Sequence, residues 1–241
     1  MLTYHSQGIV FRNIKYGETS IICDIFTREL GLRSFIVSGV RSQKSKTKAN
    51  VYRPLNIVEI TAFEGDSEKL CRIKDIRFDT IFKQVNIHVI PSSLALFMLE
   101  IARNAIKTRE ADVELYDFIK DTLILLDNDS CPSPLLHHKF MIDLSIHLGF
   151  EPMQNKNVKN TIFDLLNGRF EAENISLVYR MDKEISDIFY QLLCFKLEEL
   201  APLQIPKTIR NQLLEDLIVY YKLHIPGFRE ILSKDILAAV L

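Results

Sequence analysis

The run Arg41-Ser42-Gln43-Lys44-Ser45-Lys46-Thr47-Lys48-Ala49-Asn50-Val51-Tyr52-Arg53 holds five cations and no acid in 13 residues. Cations at that density gain affinity for a polyanion by releasing counterions from its phosphates, which requires no reading of bases. The interspersed Ser, Thr, Gln and Asn side chains are donors for phosphate oxygens. Arg41, Lys44, Lys46, Lys48 and Arg53 are therefore the first candidates for nucleic-acid contact, with a solvated lysine-rich loop as the alternative. Arg72 and Lys74 alternate with Cys71 and Ile73, so they fall on the outward face of one strand and join the candidate set. Tyr52 is either a stacking surface for a base or a packed core residue.

Other chemistry is thinly represented. His137, His138, Asp143 and His147 lie on one predicted helix, and Asp143 and His147 are four apart, as two metal ligands on one face would be. His138 points elsewhere, and ordinary surface or core histidines are the simpler reading. Cys23, Cys71, Cys131 and Cys194 form no CxxC, so they read as small buried hydrophobes. The chain has no GxSxG, HExxH, P-loop or Gly-rich dinucleotide turn. The acid pairs Glu198-Glu199 and Glu215-Asp216 read as solvated helix faces. These features argue against an enzyme and imply no cofactor and no metal.

The elements that must position these residues fall into two kinds. Up to about residue 80 the pattern is of short strands: Gly8–Ile14, Thr19–Thr27 with Ile21, Cys23 and Ile25 at every second position, Leu32–Val37, Leu55–Phe63 and Lys69–Phe78. Arg28-Glu29-Leu30-Gly31 is a turn in which Gly31 is free to adopt positive φ. In the fifth strand the apolar phase switches to Ile76 and Phe78, which predicts a bulge near Asp75. Five strands with a long excursion after the third fit a small barrel of the OB or SH3-like kind.

Beyond about residue 90 the period is helical. Helices are expected from Pro91, over Asp112–Leu126, Leu135–Leu148, Lys183–Leu200, Pro206–His224 and Ser233–Val240, with Gly149 ending the third. Residues 150–180 are less regular and carry an Asn167-Gly168 turn. The domain division is 1–80, a nucleic-acid-binding barrel, and 81–241, a helical domain.

Charge follows the same division. Residues 1–80 hold 13 Lys and Arg against 9 Asp and Glu, and the remainder holds 17 against 22, for a net charge of −1. A polyanion is expected to meet the first third of the chain. No apolar run approaches the ~20 residues of a membrane helix, and Met1–Gly8 has no secretory pattern, so the expected place is the cytoplasm, away from membranes.

The order of motifs carries a resemblance. Lys15-Tyr16-Gly17-Glu18-Thr19-Ser20, then Phe26-Thr27-Arg28-Glu29-Leu30-Gly31, then Val37-Ser38-Gly39-Val40-Arg41 resembles the start of the recombination mediators of the RecO family. Leu148-Gly149-Phe150, followed by Phe163-Asp164-Leu165 with Gly168 and Phe170, is similar to that family's middle section. Tyr220-Tyr221-Lys222-Leu223-His224-Ile225-Pro226-Gly227-Phe228 is similar to the ending of its metal-free branch. The resemblance implies an α+β protein, with an N-terminal OB-fold β-barrel packed on a C-terminal all-helical domain.

It also implies binding to single-stranded and double-stranded DNA, annealing of complementary strands, and residence at the nucleoid. The implied partners are RecR, the acidic tail of single-stranded-DNA-binding protein and, indirectly, RecA. Arg41 and the lysines after it match the family's basic loop. For the acidic tail, Lys107, Arg109 and Lys139 are chosen from charge position alone, with partnerless surface lysines as the alternative. Many relatives hold zinc with four cysteines between Phe150 and about Ser176. This chain has none there, so that segment is expected to be held by packing. The competing readings are a protein-interaction scaffold without DNA and a hydrolase or transferase of unfamiliar motif.

Overall fold

The computed structural model describes residues 2–40, 49–63, 70–128, 133–200 and 203–241. The chain divides into two compact units, residues 1–88 with 106–128, and residues 89–105 with 129–241.

In the first unit, β1 (Thr3–Tyr16), β2 (Ser20–Thr27), β3 (Gly31–Val37), β4 (Ile57–Phe63) and β5 (Cys71–Thr80) close into a barrel in the order β1-β2-β3-β5-β4. The β3–β5 pair is parallel while the other pairs are antiparallel, which is the closure of an OB-type barrel. Alternation fills the interior with Val10, Ile21, Cys23, Ile25, Phe35, Val58, Ile60, Ala62 and Cys71. The predicted bulge is present: Asp75 opposes Thr61 and Ile73 opposes Ala62, leaving Lys74 as the extra residue. That insertion explains the phase switch, because Cys71, Ile73 and Ile76 all turn inward while Phe78 is exposed. A 3-10 turn, Asn50–Tyr52, adds Val51 and Tyr52 to the same core.

A helix beyond the barrel sequence completes this unit. α2 (Val113–Asn128, following α1, Val89–Ala105, of the other unit) lays Tyr116 against Phe26, with ring centroids 6.0 Å apart. Asp112 caps it by accepting the Leu115 N–H at 2.9 Å. The Arg28 guanidinium grips Asp117 through two hydrogen bonds of 2.8 Å, and holds that carboxyl below the usual carboxylate range. Gly31 sits at φ +67°, and a Cβ there would lie 2.1 Å from the Glu110 carbonyl oxygen. Gly31→Ala is therefore expected to destabilise this unit by roughly 3 kcal/mol, combining left-handed backbone strain with the displacement of Glu110. Chemical denaturation of the variant checks it.

The second unit contains α1, α3 (Leu136–His147), α4 (Lys183–Cys194), α5 (Lys207–His224) and α6 (Lys234–Val240). Gly149 takes φ +80° and ends α3, as the sequence suggested. Pro206 is the residue before α5, its N-cap, and not its first helical residue. The unit is not all-helical: β6 (Asn160–Asp164) and β7 (Arg169–Ala172) form a hairpin joined by four residues, 165–168, with Gly168 at φ +64°. Asp164 ties the turn by accepting the Leu166 N–H at 2.9 Å and the Asn167 side-chain amide at 2.6 Å.

Packing holds the hairpin. Phe163 lies 5.1 Å from Phe170, 4.5 Å from Phe189 and 5.8 Å from Tyr220, centroid to centroid. Asn155 donates to the Phe170 carbonyl at 2.9 Å and accepts its N–H at 2.8 Å, so a side chain covers the outer edge of β7. Cys23 and Cys71 are buried, whereas Cys194 is exposed, contrary to the uniform burial expected of the cysteines.

This unit also buries titratable groups. The ring centroids of His137 and His138 lie 4.0 Å apart inside it with the planes tilted by 42°, and His138 Nε2 donates to the Arg210 carbonyl at 2.8 Å. Burial pushes the His138 imidazole down to about 4 and His137 well below its ordinary value. The unfolded imidazole protonates near 6.5, so this stability is complete above pH 6.5 and is lost as pH falls toward 4. Asp216, read from sequence as solvated, is buried with Gln212 donating to it, because α5 turns it inward. Burial raises its carboxyl to about 6, so its contribution has the opposite sign: present at acid pH and lost as pH rises through 6.

Two fully enclosed imidazoles outweigh one less deeply buried carboxyl. Acidification from pH 6.5 to 4 is expected to lower the melting temperature, with His138 alone costing on the order of 3 kcal/mol. In a pH series of thermal melts, His138→Gln should flatten that fall.

Candidate nucleic-acid interface

Exposed Ile14, Tyr16 and Arg72 share one outward face of the barrel, formed by the far half of β1 with β2, β3 and the start of β5. A bulge at Phe11 resets the β1 register, so Arg12 opposes Asp24 and Ile14 opposes Ile22. Ile22 in turn opposes Ile36, and Ile36 opposes Arg72. Because Cys23, Phe35 and Cys71 point into the core, Ile22, Ile36 and Arg72 point out, giving a cross-strand row Ile14–Ile22–Ile36–Arg72. Tyr16, two residues beyond Ile14, shares this face. Tyr16 is 50% and Ile14 44% exposed. Beneath the row, Asp24 accepts hydrogen bonds from Arg12 Nε and, at 2.6 Å, from Ser34 Oγ, which fixes the Arg12 guanidinium along the sheet.

The barrel's cations are distributed unevenly in their pairing. Several are neutralised: Arg77 of β5 pairs with Glu59 of β4, Arg28 of the β2–β3 turn with Asp117 of α2, and Lys120 of α2 with Asp79 of β5 at 3.1 Å. A cleft of about 710 Å³ is lined by Glu29, Glu59 and Asp75 as well as Arg28 and Arg77, so it offers no net positive charge. Arg72 at the end of the apolar row and Lys74 on the bulge are exposed and make no ion pair among the described residues. Arg53, directly after the 3-10 turn, is likewise exposed and makes no ion pair among the described residues. An unpaired surface cation is available to a phosphate without first breaking a salt bridge.

Of the residues singled out in the sequence, Arg53, Arg72 and Lys74 are thus at the surface, while Arg41, Lys44, Lys46 and Lys48 lie outside the described residues. Tyr52 is 5% exposed within the barrel core, where burial pushes its phenol up to about 12, so its ring is packed and not offered to a base. Lys107 and Arg109 are exposed in the segment before α2 of the first unit, where the Arg109 carbonyl accepts from Arg33 at 2.5 Å.

Lys139 belongs to the other unit and corrects the expectation for it. It is 5% exposed, and its ammonium is bound by Asp143 one helical turn on. Since α3 is buried on almost every side, a charge there pairs inside the protein and is withdrawn from any acidic tail. The same pairing occupies Asp143. Among the described residues no group of three His, Cys, Asp or Glu side chains is placed to hold a metal ion.

Sequence reading missed Tyr16, Ile14, Ile22, Ile36 and Arg12. The alternation of Arg12, Ile14 and Tyr16 was the available signal. It was obscured because β1 runs to Tyr16, two residues past the strand end expected, and Phe11 breaks the period.

Comparison with known proteins bears on both halves of the chain. Residues 1–82 match the family described as Recombination protein O N terminal, and residues 90–230 match Recombination protein O C terminal. The chain is 29% identical over 235 residues to the DNA repair protein RecO of Christiangramia forsetii, covering 97% of each chain. It is 29% identical over 236 residues to that of Flavobacterium psychrophilum, covering 98% of each, and 29% identical over 244 residues to that of Phocaeicola vulgatus, covering 95% of each. No helix among the described residues is long and apolar enough to cross a membrane.

Proposed function

The chain belongs to the RecO family of DNA repair and recombination proteins, and from that premise we propose that it is a non-enzymatic mediator whose barrel holds DNA by its phosphates. Single-stranded and double-stranded DNA meet the β1–β2–β3–β5 face through Arg72 and Lys74, and are also bound by Arg41, Lys44, Lys46, Lys48 and Arg53 of the basic segment. The observation that carries this reading is the charge pattern of the first unit: Arg53, Arg72 and Lys74 are free of ion pairs among the described residues, while Arg12, Arg28, Arg77 and Lys120 are paired with carboxylates.

Neutralising the phosphates of two strands lowers their mutual repulsion, so complementary strands brought to one surface can pair without a covalent step. Annealing of this kind asks nothing of a nucleophile or an acid–base pair. In the cell, the protein acts in the cytoplasm at the nucleoid, contacts the acidic tail of single-stranded-DNA-binding protein, and with RecR lets RecA take over the strand. Lys107 and Arg109 stay candidates for the acidic tail, and Lys139 does not.

A fluorescence annealing assay with complementary oligonucleotides, naked and coated with single-stranded-DNA-binding protein, tests the proposal. Acceleration of both reactions is expected. Rates equal to the spontaneous ones across the salt series would overturn it.

A further inference from the structure

The open face of the barrel is not uniformly polar, and its apolar part sits where a bound strand would run. Isolated exposed hydrophobes are ordinary on a protein surface, but exposed Ile14 has half-buried Ile22 and then half-buried Ile36 as successive cross-strand neighbours, and exposed Tyr16 extends the patch along β1. Adjacent strands are ~4.8 Å apart, so the row from Ile14 to Arg72 spans about 14 Å. One end of the row is Arg72 with Lys74 on the bulge beyond it. Along its flank lies Arg12, oriented by Asp24 and Ser34. An apolar shelf with a fixed guanidinium at its side and unpaired cations at its end complements a strand whose bases are splayed and whose phosphates lie outside them.

We infer that Ile14, Tyr16, Ile22 and Ile36 form a stacking shelf for unpaired bases, and that this shelf makes the face prefer single-stranded over double-stranded DNA. The inference rests on the proposed DNA-binding function and adds to it the residues that discriminate between the two forms. A duplex keeps its bases stacked on one another and shows the protein phosphates and groove edges. It therefore gains from Arg72, Lys74 and the basic segment but not from the shelf. A single strand gains from both, since every base has a π-face that an aromatic or apolar side chain can cover. Phosphate contacts set the salt dependence for either form, whereas stacking contributes a nearly salt-independent part.

The test measures fluorescence anisotropy of the full chain with a labelled oligothymidylate, a duplex of equal length, and an abasic strand of equal length. Tyr16 is half exposed at a strand end, so Tyr16→Ala leaves the barrel core intact, which circular dichroism verifies. With Tyr16→Ala, affinity for oligothymidylate is expected to fall roughly 10- to 100-fold. Affinity for the duplex should change less than twofold, and the salt slope should not change. Tyr16→Phe should retain single-strand affinity, and Tyr16→Ala should bind the abasic strand as tightly as the unaltered protein does. Equal losses on single strand and duplex, or no loss on either, would overturn the shelf while leaving the phosphate-binding reading in place. Failure of the unaltered protein to bind any of the three would overturn that reading and the shelf together.

Discussion

Replacing Arg41, Lys44, Lys46, Lys48 and Arg53 together by Ala is expected to weaken single-stranded DNA binding on the order of 10³-fold at 0.1 M salt. Each phosphate contact on a single strand contributes about 0.7 to the slope of log affinity against log salt. Five lost contacts make the slope shallower by about 3.5, and the affinities of the two proteins should converge as salt approaches 1 M. That convergence separates the effect from damage to the fold, which would persist at all salt concentrations. Arg53 follows Tyr52, whose ring is in the core, so its replacement removes an exposed side chain and leaves the 3-10 turn seated. Anisotropy titrations at four or five salt concentrations read both quantities. An unchanged slope would show that the basic segment does not face the strand.

The second large effect concerns stability. Phe163→Ala should destabilise the second unit by about 3–5 kcal/mol. The ring is completely buried, and it is the common neighbour of Phe170, Phe189 and Tyr220. Its removal leaves a cavity between the hairpin, α4 and α5 that the stiff surrounding rings cannot close. A fall of about 10 °C in melting temperature is expected. Because this aromatic cluster and the Asn155 and Asp164 brackets hold the hairpin, a strong chelator should leave the melting temperature of the unaltered protein in place. A chelator-induced shift comparable with that of Phe163→Ala would assign the hairpin's order to a bound metal instead.

Local periodicity made much of this architecture readable. Ile21, Cys23 and Ile25 alternate because one side of β2 fills the barrel, and the break at Asp75 was visible because an inserted Lys74 reverses which side faces inward. What alternation could not separate was an OB from an SH3-like closure. That difference lies in the parallel pairing of Phe35 with Cys71 and Ile36 with Arg72, a long-range contact with no local signature. For the same reason the compact unit around the barrel takes in residues 106–128: Arg28 meets Asp117, and Gln7 and Asp79 meet Lys120, across stretches of chain that no pattern links.

The hairpin β6–β7 was legible only as irregularity plus a glycine turn, since its strands are too short to show a period and draw their stability from aromatic contacts with distant helices. Lys139 was misplaced for a related reason. A helix enclosed on nearly all sides buries polar and apolar residues alike, so α3 shows no clean stripe from which to infer its solvent face. The basic segment, by contrast, was plain from composition. The apolar shelf was not, because its four members come from three strands and become neighbours only through register.

The most direct measurement of the central claim is the affinity of the unaltered protein for a single-stranded oligonucleotide as a function of salt. A straight line in log affinity against log salt is expected, falling with a slope of about −3.5 or steeper, as five or more phosphate contacts require. A slope near zero, or no binding at low salt, would contradict the claim that this barrel holds DNA through the cations of residues 41–53 and of β5.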